Sequence, residues 1–234
     1  MKTLVLIPCL ILTNLVFSQN ILVEYDVNVN GQQSKDKLMI NDSISVYNNN
    51  SDNAPLLEEK SFLLKKYFEN SIYLREGIFN QLFYVRDTLN NMKWELTNET
   101  KLVLNEKCYS AKTQFRGRSY LAYYSTSLAY YDGPWKFGGL PGLILEVKSE
   151  DNAVQFSATK IIKNFVEKVE PVRIDNYKFM EWNEYANKFI ATIDKYVKLV
   201  RSNGSIDNSS KAKIKIDAPE IIYPKAQQGE GISF

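Results

Sequence analysis

Residues 137–146 read FGGLPGLILE, with three glycines and a proline set against a run of aliphatic residues. Proline fixes its own φ and holds the residue before it extended, whereas glycine accepts positive φ or a close approach by another backbone. From Leu143 to Lys148 the side chains would then alternate between two faces of a strand. The stretch therefore predicts a wide crossover loop that leads the chain into a core strand.

The segments on either side of this loop have the period-two alternation of β-strands. Residues 20–30 alternate in this way, and shorter apolar runs follow between residues 36 and 88. Further strands are predicted at 92–97, 101–104, 107–115, 119–126, 143–148 and 153–162. Short strands separated by turn residues are typical of an antiparallel meander. We therefore predict an α+β fold that is mainly antiparallel β, built on a curved meander sheet.

One segment has helical periodicity instead. Between Met180 and Arg201 the apolar residues recur at the spacing of a single helix face, namely Trp182, Tyr185, Phe189, Ile193, Tyr196, Val197 and Val200. This pattern predicts an amphipathic helix at 178–201 that packs on the sheet.

The first 18 residues are typical of a secretory signal peptide, since Lys2 precedes an apolar run that ends at the small exit residues Val16 and Ser18. They predict export to the periplasm, the outer envelope or the extracellular space. Residues 19–204 are expected to form a single β-rich domain, and the polar segment 205–234 is expected to be loosely ordered. No later apolar stretch reaches membrane length, so we expect no membrane span.

The composition excludes several kinds of site. The chain contains no histidine, which removes Ser-His-Asp and Cys-His catalysis and histidine zinc sites. Cys108 is the one cysteine after residue 18 and cannot build a thiolate site alone. We therefore expect no metal, no cofactor and no catalytic residue. The net charge of +2 argues against a nucleic-acid partner. A carboxylate-dependent hydrolase with Asp132 and Glu146 stays open as an alternative.

The central part of the chain carries a set of short motifs, namely Trp94, Cys108, Ala111-Lys112-Thr113, Phe115-Arg116-Gly117-Arg118, Ala122-Tyr123-Tyr124, Asp132-Gly133-Pro134-Trp135-Lys136-Phe137 and Gly139-Leu140-Pro141-Gly142-Leu143-Ile144. On these residues the chain resembles the GLPGLI family of exported bacterial envelope proteins. The chain departs from the family at Ser127-Leu128-Ala129, where an Ile-Pro pair is more frequent. The resemblance implies an exported envelope protein and transfers no catalytic residues.

The loop has a structural and a functional interpretation. In the functional one, aromatic residues beside the motif contact an apolar or peptide ligand, and these are Tyr123, Tyr124, Tyr130, Tyr131, Trp135 and Phe137. Arg116 and Arg118 either bind an anionic group or pair with Asp132 or Glu146 and pin the loop, and we favour the pairing. Since aromatic residues make up 13% of the chain, clusters arise easily. That favours a loop that shapes the sheet.

The function predicted from these observations is that of a non-enzymatic envelope protein that binds an apolar small molecule, a lipid, a peptide or another envelope component. The alternative is an accessory subunit of an outer-membrane transport complex, acting on a protein partner through its surface. A deep aromatic-lined cavity would favour the first, and an exposed apolar patch the second.

Overall fold

The computed structural model describes residues 20–50, 62–166, 169, 174–202, 213–214, 218–224 and 232–233. The predicted signal peptide 1–18 lies outside these residues. The first half of the chain contains β1 (Ile21–Val29), β2 (Gln32–Ile40), β3 (Ile44–Asn50), β4 (Leu63–Lys66), β5 (Ser71–Ile78) and β6 (Gln81–Thr88). The second half contains β7 (Glu95–Val103), β8 (Glu106–Phe115), β9 (Arg118–Ser125), β10 (Leu143–Ser149), β11 (Val154–Lys163), β12 (Met180–Glu181), α1 (Trp182–Ser202), β13 (Lys213–Ile214) and β14 (Ile232–Ser233).

Twelve of these strands form one open sheet in the order β12-β6-β5-β4-β3-β2-β1-β11-β10-β9-β8-β7. The order shows two meanders, β1–β6 and β7–β11, that join where β1 pairs antiparallel with β11. The predicted α+β fold, a curved antiparallel sheet with one long helix, is confirmed. The two strands predicted at 92–97 and 101–104 form a single strand, β7, whose pairing with β8 shifts between Leu96 and Thr100.

Both faces of the sheet are covered, because alternate residues of each strand point to opposite sides. On one face Val23, Tyr25 and Val27 belong to the main core, which also includes Phe137 and Tyr185. On the other face a smaller core forms, with Leu22, Met39, Val46 and Leu64 at its centre and Phe165, Ile174 and Phe179 packed against it. The predicted crossover loop, residues 126–142, joins β9 to β10, which are antiparallel neighbours, so it is a long hairpin connection and not a crossover between separated strands. We keep the name crossover loop for it. This loop and the helix cover one face of the sheet, and the chain after β11 covers the other.

The helix begins later than predicted. Met180 and Glu181 pair in parallel with Val85 and Arg86 of β6, and this pairing holds the backbone extended until Trp182. From there α1 buries Trp182, Tyr185 and Ile193. None of the helices in the described ranges is long and apolar enough to cross a membrane.

Residues 218–224 differ from the expectation of a loosely ordered segment 205–234. Glu220 and Tyr223 are buried, at 3% exposure each. Ile221 donates its backbone N–H to the carbonyl of Arg116 at 2.9 Å, and the hydroxyl of Tyr223 donates to Asp194 at 2.6 Å. The segment packs because its one acidic side chain, Glu220, forms ion pairs with Arg116 and Lys136.

Candidate functional site

A cleft of about 980 Å³ lies along the face of the sheet that carries the main core. Strands β1 to β5 and β11 form its floor, and Trp135 from the crossover loop and Pro219 from the C-terminal segment form its walls. The apolar lining residues are Val27, Val29, Phe62, Leu63, Leu74, Trp135 and Phe156. Helix α1 does not line the cleft, so the cleft is not the cavity between sheet and helix that would have supported ligand binding most directly.

Glycines are required in the crossover loop because its backbone lies in direct contact with the neighbouring strands. A Cβ on Gly142 would lie 2.2 Å from the carbonyl oxygen of Ser125, and one on Gly133 would lie 2.7 Å from the Cβ of Ile144. These distances are shorter than any real Cβ contact, so a larger residue would push the loop off the sheet. The composition of the motif therefore follows from packing the loop directly against β9 and β10.

A buried lysine from β4 holds this loop in place. The Lys65 ammonium is fully buried, pairs with Asp132, and donates to the carbonyls of Gly133 and Phe137 at 2.8 Å each. Asp132 also accepts from the Tyr67 hydroxyl at 2.6 Å and from the N–H of Gly133 at 2.7 Å. An ammonium has three donors, and all three are used here. Burial lowers the pKa of Lys65, and the charge of Asp132 opposes this shift.

The loop in turn presents an aromatic wall to the cleft. Phe137 is fully buried and packs edge-on against Tyr120, Trp135 and Phe156, with ring centroids 5.0 to 5.7 Å apart. Trp135 has φ of +50°, a conformation that bulky residues rarely adopt. The anchored loop therefore holds the Trp135 indole in the cleft wall at a cost in backbone strain.

A cluster of buried charges lies behind this wall. Arg116 forms a two-pronged pair with Asp87, both bonds 2.7 Å long, and bonds Glu220 at 2.8 Å. Lys136 bonds Glu220 at 2.9 Å. Both cations lie over the Trp182 ring, the Arg116 guanidinium 3.7 Å and the Lys136 ammonium 3.8 Å from its centroid. The cluster ties both meanders, the loop, the helix and the C-terminal segment together.

Glu76 connects this cluster with the cleft, because it lines the cleft and lies 3.7 Å from Lys136. Burial raises the pKa of Glu76 to about 7; Lys136 opposes the shift and Glu220 adds to it. Burial acts in the same direction on Asp87, yet its bonds to Arg116 and the charge of Lys136 bring the pKa of Asp87 below its usual value. Glu76 is therefore the carboxyl at this end of the cleft that changes charge near neutral pH.

A second carboxyl lies at the other end of the cleft. Asp36 is 4% exposed, accepts from the Ser34 hydroxyl at 2.7 Å, and accepts a short hydrogen bond from the Tyr47 hydroxyl. Burial raises the pKa of Asp36 above its usual value, although these two hydrogen bonds oppose the shift. In the described ranges no group of three or more acidic or cysteine side chains could hold a metal ion.

The structure separates the residues that the sequence grouped as a candidate site. Of these, Trp135 lines the cleft. Phe137, Tyr124 and Asp132 are buried, Tyr130 is half-buried against the main core, and Tyr131 is 68% exposed. Tyr123 lies beside β7, where its hydroxyl donates to Glu99 at 3.0 Å and Lys101 covers its ring. The motif residues Gly133, Pro134, Gly139, Leu140, Pro141, Gly142, Leu143 and Ile144 form the anchored loop and the start of β10.

The predicted pairing of the two arginines with Asp132 or Glu146 is wrong. Arg116 binds Asp87 and Glu220, and Arg118 pairs with Asp151 at 3.3 Å. The reason is that Asp132 and Glu146 already have lysine partners on other strands, Lys65 and Lys101.

Those separate lysines also bear on the hydrolase alternative. Asp132 is enclosed by Lys65 and the loop backbone, and Glu146 by Lys101 of β7. Neither carboxylate lines the cleft. The pair therefore lacks the shared opening in which a water and a substrate could meet two carboxyl groups.

Sequence reasoning missed Lys65, Glu76, Asp36 and Tyr47. The sequence did contain a signal for Lys65. It lies two residues after the core residue Leu63 in the same strand, so both side chains point to the same face of the sheet. Asp36 likewise shares a face with Leu38, which is fully buried. A charged residue at a core-facing position of a strand marks either a buried pair or a site.

Two crystal structures of PNGF-II are similar to this chain. Their TM-scores are 0.55 and 0.51, with 15% and 16% identity over 72% and 73% of this chain. The chain spans about a third of PNGF-II, since the match covers 32% of that protein. Similarity at this identity shows the fold alone. The Pseudomonas aeruginosa MucA/MucB complex follows with a TM-score of 0.37 and 12% identity over 64% of this chain and 53% of that one. No family model matches the sequence, and no curated protein does.

Proposed function

We propose that this protein is an exported, non-enzymatic envelope protein that binds a ligand with a substantial apolar part in the cleft beside Trp135. The observation that carries the proposal is the cleft itself, because its volume of about 980 Å³ is at the upper end of the range for small-molecule sites. Its lining combines apolar residues such as Leu63, Leu74 and Phe156 with a larger number of polar and charged residues, so it suits a ligand that has both an apolar part and polar groups.

Export and family membership belong to the same proposal. They are supported by the signal-peptide pattern of residues 1–18 and by the resemblance of residues 94–147 to the GLPGLI family. The mass of the protein recovered from an envelope fraction should match a chain that begins at Gln19, with or without cyclisation of this glutamine. Recovery of the uncleaved chain from the cytoplasm alone would contradict export.

Ligand binding can be tested with N-phenyl-1-naphthylamine, an apolar dye whose fluorescence rises when it leaves water. The Val29→Trp variant places a large ring in the cleft, since Val29 lines it on the same face as Val27. The matched control is Lys160→Trp, at an exposed position of β11 that does not line the cleft. We expect saturable dye binding by the wild type and by Lys160→Trp, and a loss of at least tenfold in Val29→Trp. Equal binding by both variants would place the dye elsewhere and refute the proposal.

A second candidate, an accessory subunit that docks through its surface, is favoured by an exposed apolar pair. Phe79, 56% exposed at the β5–β6 turn, contacts Tyr196 of α1, with ring centroids 5.0 Å apart. Its φ is +51°, so a bulky residue holds a turn position that usually takes glycine or asparagine. A photo-crosslinking residue at position 79 should then capture a membrane protein in intact envelopes. The control is position 68, where Phe68 is 88% exposed. Equal capture at both positions, or none at 79, would exclude this candidate.

A further inference from the structure

Strand alternation determines which charged residues point into the cleft. Asp26, Lys35, Asp36, Arg75 and Glu76 all line it. Asp36 pairs across the sheet with the fully buried Tyr25, and Glu76 lies two residues after Leu74 of the main core. Both therefore share the face of the main core, whereas Asp26, Lys35 and Arg75, which also line the cleft, are one residue out of phase with them. Among the lining residues, the charged side chains on the core face are thus Asp36 and Glu76.

Asp36 differs from the other buried carboxylates. Among the described residues four carboxylates are buried, namely Asp36, Asp87, Asp132 and Glu220. The last three each bind a lysine or arginine. Asp36 accepts hydrogen bonds from two hydroxyl groups and has no cationic partner within the described ranges. A buried carboxylate is costly unless it is paired with a cation, and none of the described residues supplies that cation to Asp36.

We propose that the cleft binds a cationic group, an ammonium or a guanidinium carried on an apolar stem, with the cation at Asp36. This inference rests on the proposed function and adds the class of ligand to it. Tyr47 and Ser34 hold the carboxylate in position, as neighbouring donors do in sites where a charged ligand is recognised by geometry.

The length of the cleft sets the length of the stem. Asp36 lies on β2 and Glu76 on β5, which are three strand steps apart in the sheet, or about 14 Å at the usual spacing of neighbouring strands. Between them Tyr47, Leu63 and Leu74 line the floor. A stem of about ten methylene groups, or a lysine side chain joined to two or three extended residues of about 3.3–3.6 Å each, would cover this distance.

Two sources can supply this chemistry, a basic peptide or a free alkylamine. The probes are therefore decylammonium, decanol and the peptides Lys-Leu-Leu and Nle-Leu-Leu, each acetylated at its N-terminus and amidated at its C-terminus. Calorimetry at pH 7.5 measures the affinity of each. We expect decylammonium to bind at least tenfold more tightly than decanol, because a hydrogen bond to a charged group contributes about 1.5–3 kcal/mol. If the natural source is a peptide, the lysine peptide exceeds its norleucine analogue by the same factor.

The Asp36→Asn variant should reduce decylammonium binding at least tenfold and leave decanol binding unchanged. Glu24→Gln is the matched control, since Glu24 lies on β1 outside the cleft lining and pairs with Lys37 at the surface. If decanol and decylammonium bind the wild type equally, the cation inference is wrong while the apolar cleft stands. If neither binds, the proposed function fails with it. The comparison of the two probes on wild-type protein decides this even if Asp36→Asn does not fold.

Discussion

Lys65→Met would remove the ammonium that joins β4 to the crossover loop. Methionine matches the length of the lysine stem, so the packing of the side chain changes little. The substitution leaves the Asp132 carboxylate buried without its cation and removes the donor from the carbonyls of Gly133 and Phe137. The loss is therefore electrostatic and concentrated at one point of the fold.

The expected magnitude follows from burial, because Lys65 is 0% and Asp132 2% exposed. Breaking a buried ion pair by removing one partner costs about 3–5 kcal/mol. For a domain of this size, that corresponds to a fall in Tm of roughly 6–20 °C. A surface ion pair contributes only about 0–1 kcal/mol, so the loss of stability shows whether the Lys65–Asp132 pair behaves as a buried or as a surface pair.

Urea unfolding followed by circular dichroism measures the free energy of unfolding. The matched control is Lys66→Met, the next residue, whose side chain is 26% exposed and pairs with Glu69 on the surface. Adding Asp132→Asn to Lys65→Met should recover about 1 kcal/mol or more, because it removes the unpaired charge. A loss in Lys65→Met no larger than in Lys66→Met would refute the argument that this lysine anchors the loop.

Three further outcomes are expected. Gly142→Ala should lower the free energy of unfolding by about 3 kcal/mol or more. The control Gly31→Ala, which has nothing within 4 Å of its added Cβ, should lower it by about 1 kcal/mol. Equal losses of both variants in urea unfolding would contradict the packing argument. The pKa of Glu76 in the folded state is about 7, against an ordinary 4.5, so the folded state binds this proton more tightly than the unfolded state does. The wild type should therefore lose about 2–3 kcal/mol of stability between pH 4.5 and 7.5 relative to Glu76→Gln. A difference in unfolding free energy between the two proteins that stays constant over that range would show that the pKa is not raised. Glu220→Gln should speed amide hydrogen exchange in residues 218–224, because it weakens the bonds of this segment to Arg116 and Lys136. The control Glu181→Gln, in an exposed pair with Arg86, should leave the exchange rates unchanged. Unchanged exchange rates in Glu220→Gln would mean that these cations do not hold the segment.

The candidate site was predictable only in part. The motif and Trp135 could be recognised locally, because glycines and prolines restrict the backbone wherever they occur. The acidic groups of the cleft could not, because Asp36 and Glu76 are distant in sequence and meet one surface only after β2 and β5 join the same sheet. The arginines were expected to pair with the nearest acids of the motif, but lysines from β4 and β7 already bind those acids.

The sequence by itself determined the types of element and the faces they bury. Period-two alternation marked the strands, the 3.6-residue period marked the helix between Trp182 and Ser202, and the lack of histidine excluded whole classes of catalysis. Tertiary structure decided the partners. The alternation indicates which face of β1 is apolar, but it does not indicate that β1 pairs with β11. Val29 and Val154 are 125 residues apart in sequence and become neighbours only in the folded chain. Lys65 has a core-facing position in its strand, but its partner Asp132 lies 67 residues later, and the two meet only in the folded chain. The cost of burying each charge therefore depends on its surroundings in space and not on its neighbours in sequence.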